Sequence, residues 1–153
     1  MVLEELESLR RLVAEEGNDG RRLASSPGDN PVCRIWVDSG IPCVRLQWMG
    51  YATSLQVRFV HEAVIDLIRR HGLRKLLGDD TLLVALHPEE QTWIAEDWMP
   101  RAVSVGLKTI AHKRADSYFG KLAVDSVVVA RPAGLNIGSF DDLEEARRWL
   151  ASA

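Results

Sequence analysis

"TSLQVRFVHEAVIDLIRRHG", residues 53–72, runs directly into "LRKLLGDD", residues 73–80. In the first phrase Leu55, Phe59, Ala63 and Leu67, with Val60, Val64 and Ile68, recur at helical spacing and make one broad apolar face. Arg58, Glu62, Asp66 and Arg69 lie away from it. Thr53 or Ser54 supplies an N-cap, and Gly72 is the expected stop. The second phrase reads as a short strand ending in Asp79 and Asp80. "TLLVAL", residues 81–86, either extends that strand or is a buried connection. A helix feeding a strand is the unit of an α/β sheet.

Upstream, "VCRIWVDS" and "CVRLQWMG" are two β-like runs around a turn at Ser39-Gly40. The second alternates, with Val44, Leu46 and Trp48 on one face and Arg45 and Gln47 on the other. An antiparallel hairpin centred on that turn pairs Cys33 with position 46 or 47. Cys33 and Cys43 therefore do not face each other, and no disulfide is expected.

Downstream, "QTWIAEDWMPRA" (91–102) places Ile94, Trp98, Ala102 and Val105 on one helical face. Trp98 reads as a core anchor and Trp93 as a boundary residue. Pro100 cannot donate to the carbonyl of Glu96, so the helix should kink or restart there. "GLKTIAHK" reads as a strand. "RADSYFGKLAVDSVVVAR" is ambiguous: Ser117 is a plausible helix cap, whereas "SVVVA" has strong β propensity. "LNIGSF" reads as the last strand and "DDLEEARRWLASA" as an amphipathic helix capped by Asp141 or Asp142. The order predicts an α/β fold: a mixed, mostly parallel sheet with an N-terminal antiparallel hairpin, flanked by helices.

The expected organisation is an N-terminal helix over 1–17, a linker over 18–31 rich in Asn, Asp, Gly, Ser and Pro, and one domain over 32–153. Leu3, Leu6, Leu9, Leu12 and Val13 stripe the first helix. That stripe needs cover, either from its own domain or from a second copy across a homodimer interface.

The net charge is −3 with acids and bases interspersed, which argues against nucleic acid as a partner. The first residues are too charged for a secretory signal, and no apolar run approaches a membrane span. A cytoplasmic protein without membrane insertion is expected. Neither cysteine belongs to a metal-spacing pattern, and no metal or cofactor is expected.

Three phrases together resemble the SpoIIAA-like family of bacterial STAS-type domains, which is structurally akin to the lipid-carrying CRAL-TRIO fold. They are "WMGYATSLQVRFVHEAVIDLIRRHGLRKLLGDD", "QTWIAEDWMPRAVSVGLKTIAH" and "FDDLEEARRWL", and the likeness covers about residues 32 to 151. The resemblance implies a mixed sheet flanked by helices. It also implies a helix through much of 118–130. Regulatory STAS members carry a phosphorylatable serine after the strand that ends in Asp. Here Thr81 is the only hydroxyl near Asp79 and Asp80, and no Asp-Ser-Ser-Gly phrase follows, so a phospho-switch is not expected.

The chain has four histidines, and His61 and His71 are too far apart on one helix to form an i, i+4 zinc pair. His112 ends a strand, where α/β folds place ligand sites, and Lys113 follows it. Asp79 and Asp80 end another strand. These four residues are the candidate ligand-binding set, with Asp79 and His112 the candidate acid–base pair. No phosphate-binding glycine motif or nucleophile elbow is present, and the serines show no triad context. The leading expectation is a non-catalytic, regulatory domain acting through protein association. The alternatives are a carrier of a small apolar molecule or lipid, and an enzyme built on Asp79 and His112.

Overall fold

Six strands pair side by side in the order in which the chain makes them. The computed structural model describes residues 22–25 and 31–153. Strands β1 (Arg22–Ser25), β2 (Pro31–Asp38) and β3 (Cys43–Gly50) run antiparallel. From β3 onward, β4 (Lys75–Leu83), β5 (Thr109–Lys113) and β6 (Asn136–Phe140) add in parallel. The expected mixed α/β sheet with its hairpin is observed.

Each parallel step needs a crossover. Helix α1 (Ser54–His71) joins β3 to β4. Helix α2 (Pro88–Trp93), a π-helical turn (Ile94–Trp98) and α3 (Met99–Ser104) join β4 to β5. Helix α4 (Tyr118–Val129) joins β5 to β6. All three crossovers advance in one direction, so a constant hand puts their helices on one face of the sheet. There Val60, Val64 and Ile68 of α1, Trp98 and Val127 pack against Ile35, Leu46, Leu76 and Ile110. The other face is covered by α5 (Leu143–Ser152), whose Ala146 and Leu150 meet Ile41, Cys43, Leu77 and Ala111.

The caps follow from local chemistry. Thr53 accepts from the Gln56 N–H while the Gln56 side chain accepts from the Thr53 N–H, a reciprocal capping box. Gly72 ends α1 at φ 62°, a left-handed value that favours glycine. Asp142 caps α5 by accepting from the Glu145 N–H.

Several expectations are refined. The buried face of α1 is rotated from the one drawn through Leu55 and Phe59, and it includes Val57, His61 and Ile65. Before Pro100 the chain widens into a π turn, in which the Met99 N–H reaches Ile94 O. That wider turn admits a proline without the clash it would meet in a regular helix. "TLLVAL" contributes Thr81–Leu83 to β4.

Residues 118–129 are helical despite the β-branched run. Ser117 caps α4 by accepting from Gly120 and donates toward Val84 O at 2.8 Å, fixing the helix start to the end of β4. Gly120 is required there, because a Cβ would stand 2.6 Å from Leu83 O.

Two readings are corrected. Within the stretch read as linker, residues 22–25 form edge strand β1, paired to β2. A four-residue strand is too short to show alternation against a polar background. The hairpin register is Cys33↔Trp48, since the loop spans Ser39–Pro42 and centres beyond Gly40. Both cysteines are free and buried on opposite sides of the sheet, as Cys33 joins the larger core and Cys43 the smaller. The proposed helix over 1–17 and its leucine stripe lie outside the described residues. Among the described residues no helix is long and apolar enough to cross a membrane.

Candidate functional site

Between the sheet and its crossover helices lies a cavity of about 100 Å³. Its floor is the inward side of three strands: Leu46 and Trp48 of β3, Leu76, Gly78 and Asp80 of β4, and Ile110 and His112 of β5. Its roof is Val57 and His61 of α1, Ile94 and Trp98 of the π turn, and Val124, Val127 and Val128 of α4. Gly78 contributes to the space because it has no side chain. A Cβ there would meet His112 Cβ at an ordinary 3.7 Å.

The lining is apolar except at three residues. Five polar or charged side chains are buried among the described residues, and three of them, His61, Asp80 and His112, line this cavity. The other two have local partners. Gln56 belongs to the α1 capping box, and Glu90 takes two hydrogen bonds from Arg58, at 2.9 and 3.3 Å.

Strand alternation decides which of the four candidate residues meet. Gly78 is in register with His112 and Asp79 with Lys113. Asp80 and His112 therefore share the cavity face, and Asp79 and Lys113 share the opposite one. Asp80 Oδ2 stands 3.6 Å from His112 Nδ1, beyond hydrogen-bond length. Asp79 instead accepts from the Thr81 N–H at 3.0 Å and the Thr81 hydroxyl at 2.6 Å. Lys113 Nζ donates to Asp116 at 2.7 Å. The expected Asp79–His112 pair is not formed, and Asp80 takes the place of Asp79.

A third member of this cluster escaped the sequence. His112 pairs in register with Ser139 of β6, and its Nε2 lies 2.6 Å from Ser139 Oγ. His112 Nδ1 is buried and has no hydrogen-bond partner. The nearby Asp80 carboxylate favours a proton on Nδ1 over a lone pair, so Nε2 accepts and the Ser139 hydroxyl donates. Ser139 and His112 are in register, and Asp80 lies two residues beyond Gly78, the β4 partner of His112, so the three stand on one face of three adjacent strands. The only sequence signal was the equal phase of "IAHK" and "NIGSF", which is invisible until the register is known.

The opposite end of the cavity is closed by aromatic rings. His61 stacks on Trp48 at 5.8 Å between centroids and meets Trp98 edge-on at 4.8 Å and Trp93 edge-on at 6.0 Å. His61 Nδ1 donates to Val57 O at 2.8 Å, and Trp98 Nε1 donates to His61 O at 2.7 Å. Burial pushes the His61 imidazole down to about 4, against smaller opposing effects of the Val57 hydrogen bond and of Glu62 and Glu90. Trp98 is 1% exposed, while Trp93 is half-buried beneath the guanidinium groups of Arg58 and Arg101. The reading of core anchor and boundary residue agrees with this. The paired tryptophans enclose the protein's own histidine.

A wider groove of about 440 Å³ adjoins the cavity through Ala85 and Leu86, and is bordered by Tyr51, Phe119 and Leu122. Tyr51 and Phe119 are 70% and 69% exposed, so this mouth is an unusually apolar piece of surface. Among the described residues no three His, Cys, Asp or Glu side chains are grouped to hold a metal ion. Compared with family models, with curated proteins and with solved structures, the chain matches none.

Proposed function

We propose that this domain binds a small, largely apolar molecule carrying one hydrogen-bonding group. The apolar part occupies the cavity beneath α1 and α4, and the polar group sits between Asp80 and His112. One observation carries the reading: the buried Nδ1 of His112 makes no hydrogen bond in a cavity that is apolar but for His61, Asp80 and His112, with the Asp80 carboxylate oxygen 3.6 Å away. A buried polar atom without a partner costs about 1–3 kcal/mol, and a ligand hydroxyl or carbonyl would recover it. The volume of about 100 Å³ suits a ligand of a few heavy atoms, since an apolar cavity of about 150 Å³ takes up benzene. A longer ligand would extend past Ala85 and Leu86 into the outer groove. The resemblance of the sequence to SpoIIAA-like domains, with their kinship to lipid carriers, points the same way.

Trp48 and Trp98 line the cavity, so their fluorescence reports occupancy. Short-chain alcohols and phenols should quench it saturably. Gly78→Val should abolish the quenching while leaving the fold intact, because the strand backbone accepts a β-branched residue and the new methyls fill the space. Equal quenching in both proteins would overturn the reading. Native mass spectrometry of the purified protein would reveal a retained ligand directly.

A second reading, regulatory protein association, is favoured by the exposed apolar mouth, where Tyr118 and Phe119 also pack ring against ring. Substituting Phe119 and Leu122 with serine should weaken any self-association seen by light scattering, and unchanged mass would count against it.

A further inference from the structure

The geometry points to an acyl-transfer site in which Ser139 is the nucleophile, His112 the general base and Asp80 the residue that orients and stabilises the imidazolium. The required order is present. Ser139 Oγ lies 2.6 Å from His112 Nε2, and the other ring nitrogen faces Asp80 Oδ2 at 3.6 Å. The base is buried and the serine is exposed, so a substrate reaches the nucleophile while the relay stays dry. Ile137, two positions before Ser139 on the same face of β6, lines the cavity together with Val124 and Val128. An acyl chain directed along these residues leaves its carbonyl at Ser139, so the reacting ester shares the apolar cavity of the binding reading but not the polar position between Asp80 and His112. The substrate class is therefore an ester of a short apolar acid. That class rests on the ligand-binding reading above, whereas the nucleophile does not.

The sheet also supplies a donor. The Asn136 N–H bonds Lys108 O, and Phe140 O accepts from the Arg114 N–H. A parallel ladder alternates, so the even positions of β6 face β5 and the Ser139 N–H faces the sheet edge. Among the described residues no further strand covers that edge. Among the described residues this N–H has no strand partner, and it is placed to meet the oxyanion.

In the reaction, Ser139 Oγ bonds to the ester carbonyl carbon as its proton passes to His112 Nε2. The carbonyl π pair moves to oxygen. Collapse of that adduct breaks the bond to the alcohol oxygen, which takes the proton from His112. Water then attacks the acyl-serine and gives a proton to Nε2. The Oγ–carbon bond breaks, Ser139 recovers its proton, and the carboxylic acid leaves.

The test uses the full chain with p-nitrophenyl butyrate and a fluorophosphonate label. Expected results are labelling at Ser139, loss of both labelling and hydrolysis by at least about a hundredfold in Ser139→Ala, and a fall in kcat larger than any change in KM in Asp80→Asn. Hydrolysis unchanged in Ser139→Ala, or no label on Ser139, overturns the proposal. Saturable tryptophan quenching by butanol without hydrolysis would also overturn it, leaving the binding reading in place. Hydrolysis at Ser139 without quenching would support the nucleophile and sink the cavity as its binding site.

Discussion

The two ends of the cavity each hold a buried histidine, and they are finished in opposite ways. At one end His61 is enclosed by three tryptophans and hydrogen-bonded to its own helix, so its neutral ring behaves as one more aromatic core residue. At the other end His112 has a serine on one nitrogen, while the other makes no hydrogen bond and faces a carboxylate at 3.6 Å. Burial alone does not mark a histidine as a functional candidate; an unmet polar requirement beside a reachable group does. The His61 end should therefore dominate stability and the His112 end should contribute little to it.

The largest effect should come from the aromatic end. Trp98→Ala removes a fully buried ring and its bond to His61 O, and should cost about 3–5 kcal/mol in denaturant melts. A loss below that of Trp93→Ala would break the comparison.

Next in size is a pH effect of His61. Unfolded, it titrates near 6.5, and folded near 4. Between those values the unfolded chain holds more protons, so stability rises with pH. This contribution is complete above about pH 6.5 and is lost as pH falls towards 4, amounting to roughly 3 kcal/mol. Melts of wild type and His61→Phe across pH 4–7 isolate it, and parallel curves would show that another group is responsible.

Trp93→Ala should cost about 1–2 kcal/mol, as it loses half-buried area and two cation–π contacts. Smallest should be Asp80→Asn, which removes a buried charge without breaking a hydrogen bond to His112. It should leave stability unchanged or raise it by about 1 kcal/mol. A marked drop in Tm would mean that Asp80 is structural and that the two ends are alike.

The parts legible in the sequence were those with local causes. The Thr53 capping box, the Gly72 stop and the Asp142 cap are each written within a few residues, so α1 and α5 were readable directly. Trp98 was readable because helical spacing separates it from Trp93. The phase of β4 was not readable. Both of its faces are buried, so Leu76 and Leu77 offer no polar alternation to tell Asp79 from Asp80. Ser139 was hidden for a related reason, since its partner is fixed by cross-strand register. The helix at 118–129 follows from its crossover position and from the Ser117 cap, both of which outweigh the β preference of its valines. His61 lay off the expected apolar face, and only the tryptophans of two other elements make its position a buried one.

The agreement between strand order and chain order bears on how the protein is made. During synthesis each new crossover can dock on a sheet edge already present, so the cavity face assembles progressively from β3 onward. The other face cannot. Ile41, Cys43, Leu77 and Ala111 meet their cover only when α5 arrives, after every strand has paired. Among the described elements no other can shield that face. Among the described elements that face therefore stays uncovered until α5 has left the ribosome. A chain stopped before Leu143 should be sticky and a natural client for chaperones, even with all six strands in place.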